Sequence, residues 1–232
     1  MRIDVVTIFP ELIENYTSAS ILKKAQEKNL VKIKVHNLRW FTLDRHQTVD
    51  DYPFGGGPGM VLKPEPIYRA VNFIRSYTRS VPRIILPSPQ GKVFHQKKAQ
   101  ELAKERHLLF ICGRYQGIDE RVLDLLQCEE ISIGDYVLSG GELPTLVIIE
   151  AVVRLIPGVL GDSESIEYDS FTDGLLGPPQ FTRPRVFQNL SVPQVLLSGN
   201  HQLIAKWRYE KALEKTKKVR PELLNLVKKE KE

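Results

Sequence analysis

Five short apolar runs stand out along the first part of the chain: Ile3–Phe9, Val31–Asn37, Arg83–Pro87, Leu108–Cys112 and Glu130–Ile133. Their length and their Val, Ile, Leu and Phe content predict buried strands. Helical spacing fills most of the gaps. Ser18–Lys28 is amphipathic, with serine available as a cap. Pro64–Tyr77 places Ile67, Ala70, Val71 and Ile74 on one side, and His95–Arg106 and Asp119–Leu126 read as further helices. Pro144–Leu155 is apolar almost all round, which predicts a helix buried on most sides. Strands alternating with helices predict an α/β fold, a mostly parallel sheet with helices on both faces.

The pattern breaks at Gly161–Asp173, where five acids and no base occur without helical or strand period. This stretch reads as an exposed, mobile linker. Beyond it, Pro178, Pro179, Pro184 and Pro193 favour extended or turn structure. Val192–Ser198 suggests a helical turn or two, His201–Lys218 a long helix capped by Asn200, and Arg220–Lys229 another. The expected organisation is a sheet domain over 1–160, an acidic linker over 161–174 and a small helical domain over 175–232.

Composition sharpens this division. The 232 residues are 42% apolar and carry a net charge of +5. Residues 1–174 hold 21 bases and 23 acids, whereas residues 175–232 hold 12 and 5, so the whole positive excess lies in the last quarter. A basic helical domain points to a polyanion such as nucleic acid, although a solvated Lys/Glu-rich tail has the same composition. No run of 18 apolar residues occurs, so no membrane span is expected. The N-terminus reads as a strand and lacks a secretory signal. Cys112 and Cys128 form no C-x-x-C pair and fit core positions of a cytoplasmic protein.

In an open parallel sheet, ligands bind beyond the carboxyl ends of the strands. Three predicted strands end in Gly- and Pro-rich loops: Ser88-Pro-Gln-Gly91, Gly113-Arg-Tyr-Gln-Gly-Ile-Asp119, and Gly134-Asp-Tyr-Val-Leu-Ser-Gly-Gly141 followed by Pro144. Together they favour one small-molecule pocket. No G-x-G-x-x-G follows the first strand and no P-loop occurs. Tyr52-Pro-Phe-Gly-Gly-Gly-Pro-Gly-Met60 reads as a surface loop or as a glycine face for a backbone or phosphate. Arg154 interrupts the apolar helix; it either snorkels at the helix end or meets a carboxylate or phosphate. Asp169 is, on residues alone, one acid among five.

These segments resemble the bacterial tRNA (guanine-N(1)-)-methyltransferases of the SPOUT superfamily. The likeness lies in Asp50–Met60, Ile111–Arg121, Ile131–Pro144, Pro157–Gly161, Tyr168–Phe171, Gly174–Gly177 and Val195–His201, in order along nearly the whole chain. The resemblance implies a trefoil knot at the carboxyl end of the sheet domain and a homodimer with active sites across the interface. It implies S-adenosylmethionine bound at Pro87, Ser88, Pro89, Gly113, Gly117, Ile133, Gly134, Asp135, Tyr136, Val137, Leu138, Gly140, Gly141 and Pro144. The implied product is N1-methylguanine immediately 3′ of the tRNA anticodon, with Asp169 as general base and Arg154 stabilising charge on the guanine. Arg183, Arg185, Lys206, Arg208, Lys215 and Lys218 are expected phosphate contacts. Magnesium is associated with the family, but Gln116 stands where many members carry glutamate and supplies no charge; no metal ligand is assigned. A non-catalytic RNA-binding module and a ribosomal RNA target are the rival readings.

Overall fold

The computed structural model describes residues 1–160, 169–172 and 174–224. The chain divides into two compact units, Met1–Gly161 and Asp162–Glu232. The first is built on five parallel strands in the order β2-β1-β6-β5-β7. They are β1 (Arg2–Thr7), β2 (Lys32–Asn37), β5 (Arg83–Val93), β6 (His107–Ile111) and β7 (Glu129–Ser132); β3 (Asp50–Asp51) and β4 (Val61–Leu62) form a small antiparallel pair.

Alternation of side chains sorts the core into two halves. Ile3, Val5, Ile85, Leu108, Phe110 and Cys112 point to one face, under helices α1 (Pro10–Thr17), α2 (Ser20–Glu27), α4 (Gln96–Leu102) and α6 (Glu142–Val153). Val6, Ile84, Leu86, Leu109 and Ile111 point to the other, under α3 (Pro64–Thr78) and α5 (Arg121–Leu126). The central β6 is buried at every position, as a parallel strand covered on both faces requires. The expected α/β sheet with helices on both faces is therefore present.

Several boundaries differ from expectation. Ser88–Gly91, read as a loop, lies inside β5. Pro87 and Pro89 lack N–H groups, so the ladder to β7 stops at Pro87↔Ile131 and resumes at Lys92↔Ile131 around a bulge. Gly91 sits where this bulge meets β7. The 95–106 helix is observed as α4, Gln96–Leu102: the His95 Nδ1 caps its start, accepting the Lys98 N–H at 3.3 Å, and Ala103 caps its end. The first helix, Pro10–Thr17, has few apolar positions to announce it; it buries Ile13 and Thr17. Ser18 does not cap α2, whose N-cap is Ala19. Helix α6 is buried on most sides, as expected, and leaves Leu143 (61%) and Val147 (48%) exposed.

A buried carboxylate ties the other end of the sheet. Asp4 accepts hydrogen bonds from Arg2 Nε (2.6 Å), His36 Nε2 (2.6 Å) and His107 Nε2 (2.8 Å). Burial alone would raise its pKa, but these donors outweigh burial and hold it well below the ordinary carboxylate range. A depressed native pKa contributes stability that is fully present above about 3.9 and lost as pH falls toward the native value. Asp4→Asn is therefore expected to be less stable than the native chain at pH 7, with the gap narrowing between roughly pH 4 and pH 2. Urea unfolding at several pH values reads this directly; a gap independent of pH contradicts it.

The second unit carries the helix Gln194–Leu197, the antiparallel pair Val186–Phe187 and Leu190–Ser191, and the long helix His201–Val219. Asn200 caps that helix as expected, its Oδ1 accepting the Leu203 N–H at 3.1 Å. Residues 169–172 and 174–177 are fastened within this unit: Gly177 N donates to Ser170 Oγ (2.9 Å) and Leu176 N to Thr216 Oγ1 (2.9 Å). Of the expected linker, residues 161–168 and 173 lie outside the described residues, as do residues 225–229 of the expected last helix. Among the described residues no helix is long and apolar enough to cross a membrane.

Candidate functional site

The β5 bulge and the loops at the carboxyl ends of β6 and β7 meet around one cavity of about 320 Å³. That is the lower range for small-molecule sites. Pro87, Ser88 and Pro89 come from the β5 bulge, Gly113 and Gly117 from the loop after β6, and Ile133, Gly134, Tyr136, Val137, Leu138, Gly140, Gly141 and Pro144 from the loop into α6. Asp135 is not among the lining residues. Gln90, Arg114, Tyr115, Gln116, Ile118 and Ser139 line the cavity as well.

Glycine is required here for two different reasons. Gly117 and Gly134 have φ of +126° and +145°, which side chains rarely tolerate. Gly141 has no such φ, but a Cβ there would lie 2.9 Å from Cys112 Cα and from Gly113 N. The loops touch backbone to backbone at this point, with Gly141 N donating to the Gly113 carbonyl at 2.8 Å. Around this polar seam stand exposed apolar side chains, Tyr115 (51%), Tyr136 (54%) and Val137 (85%). The combination suits a ligand with a flat ring and a polar edge.

The Gly-rich run after Tyr52 docks beside the cavity. Gln116 N donates to the Met60 carbonyl (3.0 Å), Leu62 N to Gly117 (3.0 Å) and Asp119 N to Leu62 (3.1 Å). Gly55, Gly56 and Gly57 adopt positive φ in open space, and Phe54 is 99% exposed. Their glycines serve the turn rather than a close contact. Gly59 alone is crowded: a Cβ there would lie 2.9 Å from Gln116 Nε2. Wedged under the loop, that amide offers a divalent cation a neutral oxygen but no carboxylate charge. Among the described residues no group of three His, Cys, Asp or Glu could hold a metal.

Neither cysteine offers a nucleophile. Burial, aided by Glu142, pushes the Cys112 thiol far up, and burial, aided by Glu130, pushes Cys128 up to about 12. Arg154 caps α6 at its carboxyl end and is half-buried, with its backbone N–H on the Glu150 carbonyl at 3.2 Å. Asp169 is also half-buried, in the turn that opens the described part of the second unit. The two belong to different units. Arg183 and Arg185 are exposed beside Phe181, Phe187 and Leu190 around a second hollow of about 280 Å³. On the long helix, Arg208, Lys215 and Lys218 share a face by their spacing, together with Lys211, whereas Lys206 lies on another side, opposite Glu210 at 4.0 Å.

One feature of the site escaped sequence reading. Glu142 is 1% exposed, accepts from Thr7 Oγ1 at 2.7 Å and from Arg114 Nε at 2.9 Å, and so joins three strand ends. Its signal was an acid in the first turn of an apolar helix. Like Arg154, it is a charge within an apolar helix and needs a partner.

The fold and the cavity define an open α/β protein with a cavity of small-molecule size beyond its strand ends, joined to a basic helical unit. A family model described as tRNA (Guanine-1)-methyltransferase TrmD matches residues 1–226. Proteins named tRNA (guanine-N(1)-)-methyltransferase are similar throughout: that of Dictyoglomus turgidum is 58% identical over 224 residues, covering 97% of this chain and 90% of the relative. That of Bacillus subtilis (strain 168) is 54% identical over 224 residues, covering 97% and 92%. The chain belongs to the tRNA (guanine-1)-methyltransferase family.

Proposed function

We propose that the protein is a tRNA (guanine-N(1)-)-methyltransferase using S-adenosylmethionine, acting on the guanine immediately 3′ of the anticodon. The carrying observation is the convergence of the β5 bulge and the loops after β6 and β7 on one cavity, in a chain matched by the family model over 1–226. The sulfonium activates the methyl group, so no nucleophilic side chain is needed. The methyl passes from sulfur to guanine N1, the sulfur keeps the electron pair as S-adenosylhomocysteine leaves, and the N1 proton passes to the Asp169 carboxylate. The Arg154 guanidinium stabilises the charge developing on guanine O6. The bulge at Pro87–Gly91, the seam at Gly113–Gly141 and the loop to Pro144 support a knotted donor site read mainly by backbone groups. Gln116 supplies a magnesium ion no charge, so no metal role is assigned to that position.

A homodimer in the cytoplasm is part of this reading. It is supported by an apolar stripe on the first unit formed by Leu12 (43%) and Tyr16 (48%) of α1 and Leu143 (61%) and Val147 (48%) of α6, with Tyr16 hydrogen-bonded to Glu150. A stable monomer by light scattering under assay conditions contradicts it. Arg183, Arg185, Lys206, Arg208, Lys215 and Lys218 are the proposed phosphate contacts. Neutralising two on one helix face, Lys215 and Lys218, is expected to lower the slope of log affinity against log salt by about 1–2 and weaken RNA binding alike across sequences. An unchanged slope removes that face from the interface. Mass mapping of an unmodified transcript tRNA after reaction tests the activity: N1-methylguanine beside the anticodon is expected, and methyl at another nucleoside or in ribosomal RNA alone contradicts it.

A further inference from the structure

We propose that Glu142 is a positioning residue for the methyl donor, acting through Arg114. The inference rests on the reading of the strand-end cavity as the donor site. Glu142 lies in the first turn of α6, where the helix end favours a carboxylate. Its burial obliges it to hold a partner, and Arg114 supplies that partner at 2.9 Å. Arg114 lies in the loop after β6. It pairs in antiparallel fashion with Gly140, across the cavity wall, and sets its guanidinium 4.5 Å from the centre of the Phe9 ring. Thr7 completes the link, donating to Glu142 and accepting the Phe9 N–H at 3.0 Å. One carboxylate therefore fastens the end of β1, the loop after β6 and the loop into α6.

Gly140 shows what the arrangement requires. It has no positive φ, so backbone conformation does not demand glycine there. A Cβ would instead overlap Nε and Cδ of Arg114 and lie 2.7 Å from its Cζ. Gly140 is small because Arg114 passes directly beneath it. The arginine is in effect the floor on which the Leu138–Gly141 wall rests, and Glu142 fixes the arginine. Without the carboxylate, a guanidinium whose side chain is only 19% exposed has lost its charged partner. It turns toward water and the wall loses its register with Gly113.

Calorimetric titration of the full chain with S-adenosylhomocysteine, joined to steady-state kinetics, tests this. Glu142→Gln and Arg114→Met are each expected to raise the Kd about tenfold, with a donor KM that rises alike and an RNA KM within about twofold; a tenfold change is roughly 1.4 kcal/mol. The double variant is expected to be no weaker than either single one, because both remove the same link. Gly140→Ala is expected to weaken binding in the native background and to add nothing in an Arg114→Ala background. Singles that bind within twofold of the native chain, or effects that simply add, overturn the proposal. A purely structural role lowers the thermal midpoint and leaves Kd and the KM split unmoved. If Glu142→Gln does not fold, the Gly140→Ala comparison decides alone, since it leaves the carboxylate in place. A native chain that binds no S-adenosylhomocysteine refutes the donor-site reading instead, which keeps the two failures apart.

Discussion

Asp169→Ala is expected to slow methyl transfer by roughly 10²- to 10⁴-fold while S-adenosylhomocysteine still binds with near-native affinity. Guanine N1 carries a proton at neutral pH, so its lone pair becomes available only as that proton leaves. A positioned base contributes about this factor. Donor binding is expected to survive because the cavity lies in Met1–Gly161 and Asp169 belongs to the other unit. Asp169→Asn keeps the shape and the hydrogen-bonding edge but cannot take the proton, so it is expected to fall nearly as far. Single-turnover rates with saturating donor and RNA separate chemistry from binding. An Asn variant that turns over at the native rate removes Asp169 from the role of base and leaves Arg154 and the cavity untouched.

Gly91→Ala is the largest expected effect on the fold. A Cβ on Gly91 would lie 2.5 Å from the Ile131 nitrogen and 2.6 Å from the Glu130 oxygen. Both are backbone atoms of β7, so no flexible side chain can yield. Relief requires β5 and β7 to separate at the register shift between Pro87 and Lys92, and packed interiors resist such displacement. A cost of about 3 kcal/mol is expected, which lowers the thermal midpoint by roughly 6–12 °C for a chain of this size. Because Pro87, Ser88 and Pro89 form the cavity wall on the same bulge, donor affinity is expected to fall with it. Scanning calorimetry with and without S-adenosylhomocysteine checks both parts; a midpoint within about 2 °C of native contradicts the crowding.

Much of the sheet was legible because its strands are buried on both faces and their apolar runs are continuous. Leu108–Cys112 could hardly be anything else. The β5 bulge was less legible, because Pro87, Pro89 and Gly91 are terminators in the ordinary reading of a strand; only the return of Lys92 to Ile131 shows that the strand goes on. Helix α1 hid behind its polarity, with only Ile13 and Thr17 buried. The cavity was legible as three glycine-bearing strand ends. Which glycines serve conformation and which serve proximity was not, since that depends on Cys112 and Arg114, far off in sequence but in contact in space. The Arg114–Glu142 pair spans 28 positions, beyond any local spacing rule. Asp169 carried no signal of its own among five acids, and its assignment came entirely from resemblance.

The two-unit arrangement gives the chemistry a division of labour. In the proposed reading the first unit offers the donor cavity on rigid strand ends, which suits precise placement of a methyl group. The second offers basic groups for a polyanion and carries the proposed base, Asp169. In the proposed reading RNA engagement and proton removal belong to the same unit, so an RNA lacking the contacts of that unit is expected to bind the donor-loaded enzyme poorly and react slowly.

The most direct measurement is a crystal structure of the full chain soaked with S-adenosylhomocysteine. The account predicts the adenine and thioether lying between the Pro87–Gly91 bulge, the Gly113–Ile118 loop and the Gly134–Pro144 loop. Density for the nucleoside elsewhere on the molecule, or soaked crystals in which that cavity holds only water, would contradict it.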